Sequence, residues 1–322
     1  MTPTRRALFA RVSRETARLT PDIARAILRA FALLASEMSE AQLAEAIASG
    51  SVERLLTRLL APEIEARAFY PVREAIRRSV GRETRLFQRD LPRRAQAVTG
   101  TVGIGFDILN PKVIDAIRTL ETRVIATLSE SVRGAVRAHI ELGLERGVGP
   151  RAMARGLRAV IPLAPNQVRA VANFERMLRE GDRAALTRAL RDHRFDRTLD
   201  RLLGVRGEGL SAEQVKRMTD AYRRNMVAFS AETNARTAAL NSVKLGQRLS
   251  WQDAIDRGVV DSGSLMKRWV NVGDDRVRDE HLAQPVGVAG ETVPFEETYS
   301  TGEMEPGDLA YNCRCLSFVF AG

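Results

Sequence analysis

The chain's two cysteines, Cys313 and Cys315, stand two residues apart, and His281 and Trp269 lie shortly before them in a protein with only three histidines and two tryptophans. On a strand, residues i and i+2 share a face, so both thiols and the imidazole could converge on one metal, with Asp275 or Asp308 as a fourth ligand. Zinc is the ion such a sulfur and nitrogen set suits. The same residues have a second use. Two small apolar thiols could fill core space under Trp269, with His281 hydrogen-bonded to a backbone carbonyl or a neighbouring carboxylate. Both readings stay open, and the sequence demands no cofactor. A disulfide between neighbouring strand residues would be strained, so the thiols suit a reducing compartment.

Catalysis needs a nucleophile with an oriented base, and Cys313 or Cys315 with His281 and an aspartate is the one available set. The zinc-deaminase pattern, H-E-x-x-H, a Walker A loop and a G-x-S-x-G elbow are all absent, so no enzyme is expected. Asp274, Asp275, Asp279 and Glu280 flank Arg276 and Arg278, a mixture that reads as local ion pairs. Arg314 lies between the two thiols and must point away from them, with Asp275 or Asp308 as its expected partner. Glu232 and Arg236 stand one helical turn apart and read as supporting ion-pair residues. On this reading Asp275, His281, Asp308, Cys313 and Cys315 form a structural lock. His139 and His193 receive no role.

Two segments must position these groups. Arg268-Trp269-Val270-Asn271-Val272 and the alternating Leu316-Ser317-Phe318-Val319-Phe320 read as strands, joined through a Gly- and Pro-punctuated stretch with a short helix from about Asp275 to Leu282. Everything before about residue 258 reads as helix. Thr20-Pro21 predicts a helix start, Ser39 with Gln42 and Ser211 with Gln214 predict capping boxes, and Pro62 to Arg89 reads as one helical stretch. Asn110-Pro111 opens the longest early helix, whose stripe runs Val113, Ile114, Ile117, Leu120, Val124, Leu128, Val132, Val136, Ile140 and Leu144. Gly149-Pro150 and Ala164-Pro165 open two more. The Gly-containing segment Val98–Leu109 reads as a boundary. The expected fold is mainly α, an elongated helical body with long helices followed by a small C-terminal α+β domain. Its expected parts are an N-terminal helical region over 1–100, a helical body over 101–258 and a cap over 259–322.

The formal net charge is +10, and only Lys112, Lys216, Lys244 and Lys267 are lysines among 50 basic residues. Such a chain is drawn to polyanions, nucleic acid or an acidic protein surface. Arg123, Arg133, Arg137 and Arg146 fall off the apolar stripe and read either as a solvated face or as a ridge facing DNA phosphates. Aromatic content of 5% argues against base stacking. No apolar run is long enough to span a membrane, and charge interrupts the N-terminal apolar stretch too early for a secretion signal.

The run Ala231-Glu232-Thr233-Asn234-Ala235-Arg236-Thr237 with Asn241 and Gly246, then Trp269, Asp275-Arg276-Val277-Arg278 with His281, Pro306-Gly307-Asp308, and Asn312-Cys313-Arg314-Cys315 resembles the phage head morphogenesis family, minor head proteins similar to the phage Mu F protein. Gly147-Val148-Gly149-Pro150-Arg151 and Pro165-Asn166-Gln167 fit the same rhythm, and the resemblance covers about residues 115 to 322. Many members carry a second cysteine or histidine near the Asp-Arg-Val segment and a histidine before the final Cys-x-Cys. Here Arg278 and Tyr311-Asn312 stand nearby instead. The resemblance implies a structural and assembly protein of a tailed-phage head, located in the virion and, during assembly, in the host cytoplasm. It implies the portal protein and other capsid proteins as partners, with packaged double-stranded DNA as a further one, and a role in packaging or ejection. No further domain is expected after Gly322. A non-virion DNA-binding protein and a metal-dependent enzyme or toxin are the alternatives.

Overall fold

The computed structural model describes residues 5–95, 110–202, 209–275, 277–283, 285–308 and 313–321. Among them are ten α-helices followed by three strands, the mainly α architecture with a small C-terminal α+β region that the residue pattern predicts. The boundary expected over Val98–Leu109 lies outside the described residues. By contact the chain forms two compact units, one of residues 1–26, 72–124 and 233–322 and the other of residues 27–71 and 125–232. This differs from the expected sequential division at 100 and 258. Periodicity reports which face of a helix is apolar, and it carries no record of which distant segment covers that face.

The helix α1 runs Arg5–Ser36 with Pro21 inside it, so Thr20-Pro21 does not begin a helix. The Thr20 hydroxyl instead donates to the Thr16 carbonyl within a turn that continues through the proline. The helix α2 (Glu40–Ala48) begins at the expected capping box, in which Ser39 and Gln42 exchange side-chain and backbone hydrogen bonds and satisfy donors that a helix start leaves open. After α3 (Val52–Leu59), the stretch expected to be one helix from Pro62 breaks at Phe69 into α4 (Pro62–Ala68) and α5 (Tyr70–Ala95). Phe69 is buried against Phe31, edge to face at 6.5 Å. The helix α6 (Pro111–Glu145) starts at its predicted proline. Val113, Ile117, Leu120, Leu128, Val132, Val136 and Ile140 of its stripe are buried, whereas Leu144 is exposed. The helices α7 (Pro150–Val160) and α8 (Pro165–Glu180) also open on their prolines, where a missing amide hydrogen costs nothing. A short α9 (Asp196–Leu202) precedes α10 (Ala212–Asp256), which begins on the predicted Ser211–Gln214 box.

Close packing of α10 on α5 rests on small residues. A Cβ at Gly246 would meet the Glu83 Cβ at 2.8 Å and the Thr84 amide nitrogen at 2.9 Å, so only glycine lets these backbones approach so nearly. Ser250 bonds the Thr84 carbonyl at 3.1 Å.

The strands β1 (Leu265–Val270), β2 (Thr292–Pro294) and β3 (Leu316–Ala321) form an antiparallel sheet in the order β2-β1-β3. Its register pairs Lys267 with Val293 on one side and Trp269 with Ser317 on the other. β2 was not legible as a strand, and the helix expected over 275–282 is a single 3-10 turn, Asp279–His281. On β1 the buried residues are Leu265, Lys267 and Trp269, the period-two face of a strand. Leu265 packs with Trp251, Ala254, Val259, Val260 and Phe295, and Trp269 packs with Val288, Ala289, Tyr299 and the two cysteines.

Candidate functional site

His281, Cys313 and Cys315 meet in one buried cluster whose ligand-type atoms all lie within 4.8 Å of one another. The His281 Nδ1 is 3.4 Å from the Cys313 Sγ and 3.8 Å from the Cys315 Sγ. The ring is aimed by its own loop. The His281 amide donates to the Arg278 carbonyl, the Asn271 side chain donates to the His281 carbonyl, and Val288 and Ala289 close the loop onto Glu280 and Leu282. Gly287 makes that closure achievable, since a Cβ there would meet the Asp279 and Leu282 backbones at 2.6–2.7 Å. Trp269 roofs the cluster, its ring 5.0 Å from the imidazole and 5.1 Å, edge to face, from Tyr299.

The thiols differ in environment. The Cys315 thiol donates to the Cys313 sulfur, and this bond, helped by the Lys244 ammonium, the Cys315 amide at 3.4 Å and the imidazole, holds Cys313 below the ordinary thiol range against the effect of burial. Donating to that sulfur and being buried push the Cys315 thiol up. The buried Trp269 indole N–H has no hydrogen-bond partner among the described residues.

Pro306-Gly307-Asp308 supports the cysteines from the other side. The Asp308 amide donates to the Glu305 carbonyl at 3.0 Å and Gly307 has φ +88°, which makes Glu305–Asp308 a turn with proline and glycine where a type II turn wants them. The Lys244 Nζ, on α10, donates to the Pro306 carbonyl at 2.5 Å. A side chain at Gly307 would run into the Cys313 Cβ at 2.8 Å. Asp308 accepts from the Glu305 amide and from Arg123 of α6 at 2.5 Å, so it tethers the turn and is not a fourth member of the Cys-His cluster.

Beside this lies a second buried polar set. The Lys267 Nζ donates to the Met304 carbonyl at 2.7 Å and lies 5.0 Å from the Tyr299 ring. Its burial lowers the lysine to about 8, partly offset by Glu305. Burial likewise raises Glu305, against the Ser317 hydroxyl, which favours the carboxylate. The sequence reasoning passed over Lys267 although its signal was present, because a lysine two residues from a core tryptophan on one strand must share its face. Lys244 and Glu83 were missed for want of any local signal.

The chain matches no family model, no curated protein and no solved structure.

The remaining predicted residues are distributed as follows. Asp275 is exposed and stands outside the cysteine cluster, while Arg276 lies outside the described residues, as do Tyr311 and Asn312. Arg314 points away from the thiols as expected, but its partner is Asp274 at 2.7 Å and not Asp275 or Asp308. The bend at 274–275 brings the earlier carboxylate to the segment that precedes β3. Arg278 is exposed and provides the carbonyl that starts the turn of His281. Glu232 is exposed and Arg236 is exposed on α10, and no ion pair joins them among the described residues. Of the arginines expected to face DNA, Arg123 holds Asp308, Arg137 makes a two-point bond to Glu53, Arg133 lies 3.9 Å from Glu130, and Arg146 reaches the Ala172 carbonyl at 3.4 Å. Arg123 therefore belongs to the structural tether. His139 meets the Met153 carbonyl and His193 meets Asp196. No helix is long and apolar enough to cross a membrane among the described residues.

Proposed function

We propose that this chain is a minor head protein of a tailed phage or prophage, acting in head assembly at the portal vertex. One observation carries the reading. Residues that bear the family resemblance, distant in sequence, close around one buried centre: Trp269 covers His281, Gly307 backs Cys313, and Asp308 ties its turn to Arg123. A set of motifs that builds one structural lock supports an assembly role over catalysis. The net charge of +10 supports packaged DNA as a second partner, with a part in packaging or ejection.

The test is co-expression of the full chain with a portal protein from the same source, followed by co-purification. Retention on the portal at moderate salt is the expected result. Salt-sensitive binding to plain duplex DNA with no portal affinity would replace this reading with a DNA-binding protein outside any virion. The ridge on α6 has its own check. Exposed ion pairs are worth under about 1 kcal/mol, so phosphates can compete for Arg133, Arg137 and Arg146. Charge reversal of all three should weaken DNA association and flatten its dependence on salt; unchanged binding in a salt titration would place the DNA face elsewhere.

A further inference from the structure

We infer that His281, Cys313 and Cys315 bind one zinc ion, through the imidazole Nδ1 and two thiolates, with water in the fourth tetrahedral position. This inference stands apart from the capsid reading, since zinc occupancy and portal binding are separate observables.

The distances fit the ion. Zinc holds thiolate sulfur at about 2.3 Å and imidazole nitrogen at about 2.0–2.1 Å, so tetrahedral geometry separates sulfur from nitrogen by about 3.6 Å. The two separations here are 3.4 Å and 3.8 Å. Thiol hydrogen bonds join these atoms only in pairs, whereas a metal between the three uses all of them at once. Charge balances as well. Two thiolates neutralise a divalent ion, so the three ligands and the metal together are neutral. As the two Zn–S bonds form, the thiol protons leave to solvent.

The surroundings are those a zinc thiolate requires. The Cys315 amide donates to the Cys313 sulfur at 3.4 Å, and the Trp269 ring covers the imidazole at 5.0 Å and shields the cluster from bulk water. N–H donors to ligating sulfurs hold them in place and temper their basicity. No fourth His, Cys, Asp or Glu joins the three among the described residues, and Asp308 is engaged by Arg123 and the Glu305 amide. This is why the remaining position goes to water.

The experiment takes the full chain, expressed with added zinc and purified under reducing conditions. Elemental analysis is expected to find one zinc per chain. A strong chelator should lower the unfolding temperature and expose both thiols to a thiol reagent, and cobalt in place of zinc should give thiolate-to-metal charge-transfer bands. Cys313→Ser and His281→Gln should each lose the bound metal and those bands. Because such variants could fail to fold, the wild-type chain also decides: a folded sample with far less than one zinc per chain, whose thiol reactivity and unfolding temperature ignore both zinc and chelator, overturns the assignment.

Discussion

Glu83→Gln should leave stability nearly unchanged below about pH 4.5 and should make the protein more stable than wild type by about 3 kcal/mol above about pH 7. Glu83 is fully buried in α5, and neither carboxylate oxygen has a hydrogen-bond partner. Burial raises it from 4.5 to about 7, reinforced by Glu15 and opposed by Arg82, Arg11 and Arg18, while α10 closes on it at Gly246. The folded state therefore holds this proton more tightly than the unfolded chain does. Its contribution is fully present below the unfolded value of 4.5 and is lost as pH rises through the folded value near 7. Glutamine has nearly the same shape and no charge to desolvate, so subtracting the variant's profile from the wild type's isolates this one group. Lys267 titrates in the other sense and cancels in the subtraction. Urea denaturation across pH 4 to 9 is the measurement, and parallel profiles would show that Glu83 finds a partner when ionised.

The helical body was legible because its signals are local. Ser39 with Gln42, Ser211 with Gln214, and the prolines at 111, 150 and 165 announce helix starts through the backbone donors they satisfy or dispense with. Thr20-Pro21 carried the same signal and failed, because a helix already under way and packed on both sides of the proline can absorb one missing bond. The break at Phe69 is equally tertiary in origin, set by its ring against Phe31. In the C-terminal region the three scarce residues do meet, although Cys313 and Cys315 precede β3 and are not on a strand as the spacing argument assumed. Their supports, Lys244 on Pro306 and Arg123 on Asp308, join residues far apart in sequence. No spacing rule reaches such pairs, and the three-residue β2 is too short to show a period.

Trp269→Ala should cost about 3–5 kcal/mol, the range for emptying a well-packed aromatic site. That is a large part of a domain's total of about 5–15 kcal/mol. Trp269 is fully buried at the centre of the sheet, in contact with the His281 and Tyr299 rings and packed with Val288, Ala289 and both cysteines. These neighbours come from the His281 loop, the Tyr299 turn and the segment before β3, so no single one can move to fill the space. Trp269→Phe separates packing from polarity, since it keeps an aromatic ring and removes the buried N–H. It should cost far less, and Trp251 then remains as the sole tryptophan to report unfolding by fluorescence. Equal losses from the two variants would mean that the indole N–H, and not the volume of the ring, holds the centre together. A cost below about 1 kcal/mol for the alanine would mean the site collapses freely, contrary to packing in which a lost side chain leaves a cavity.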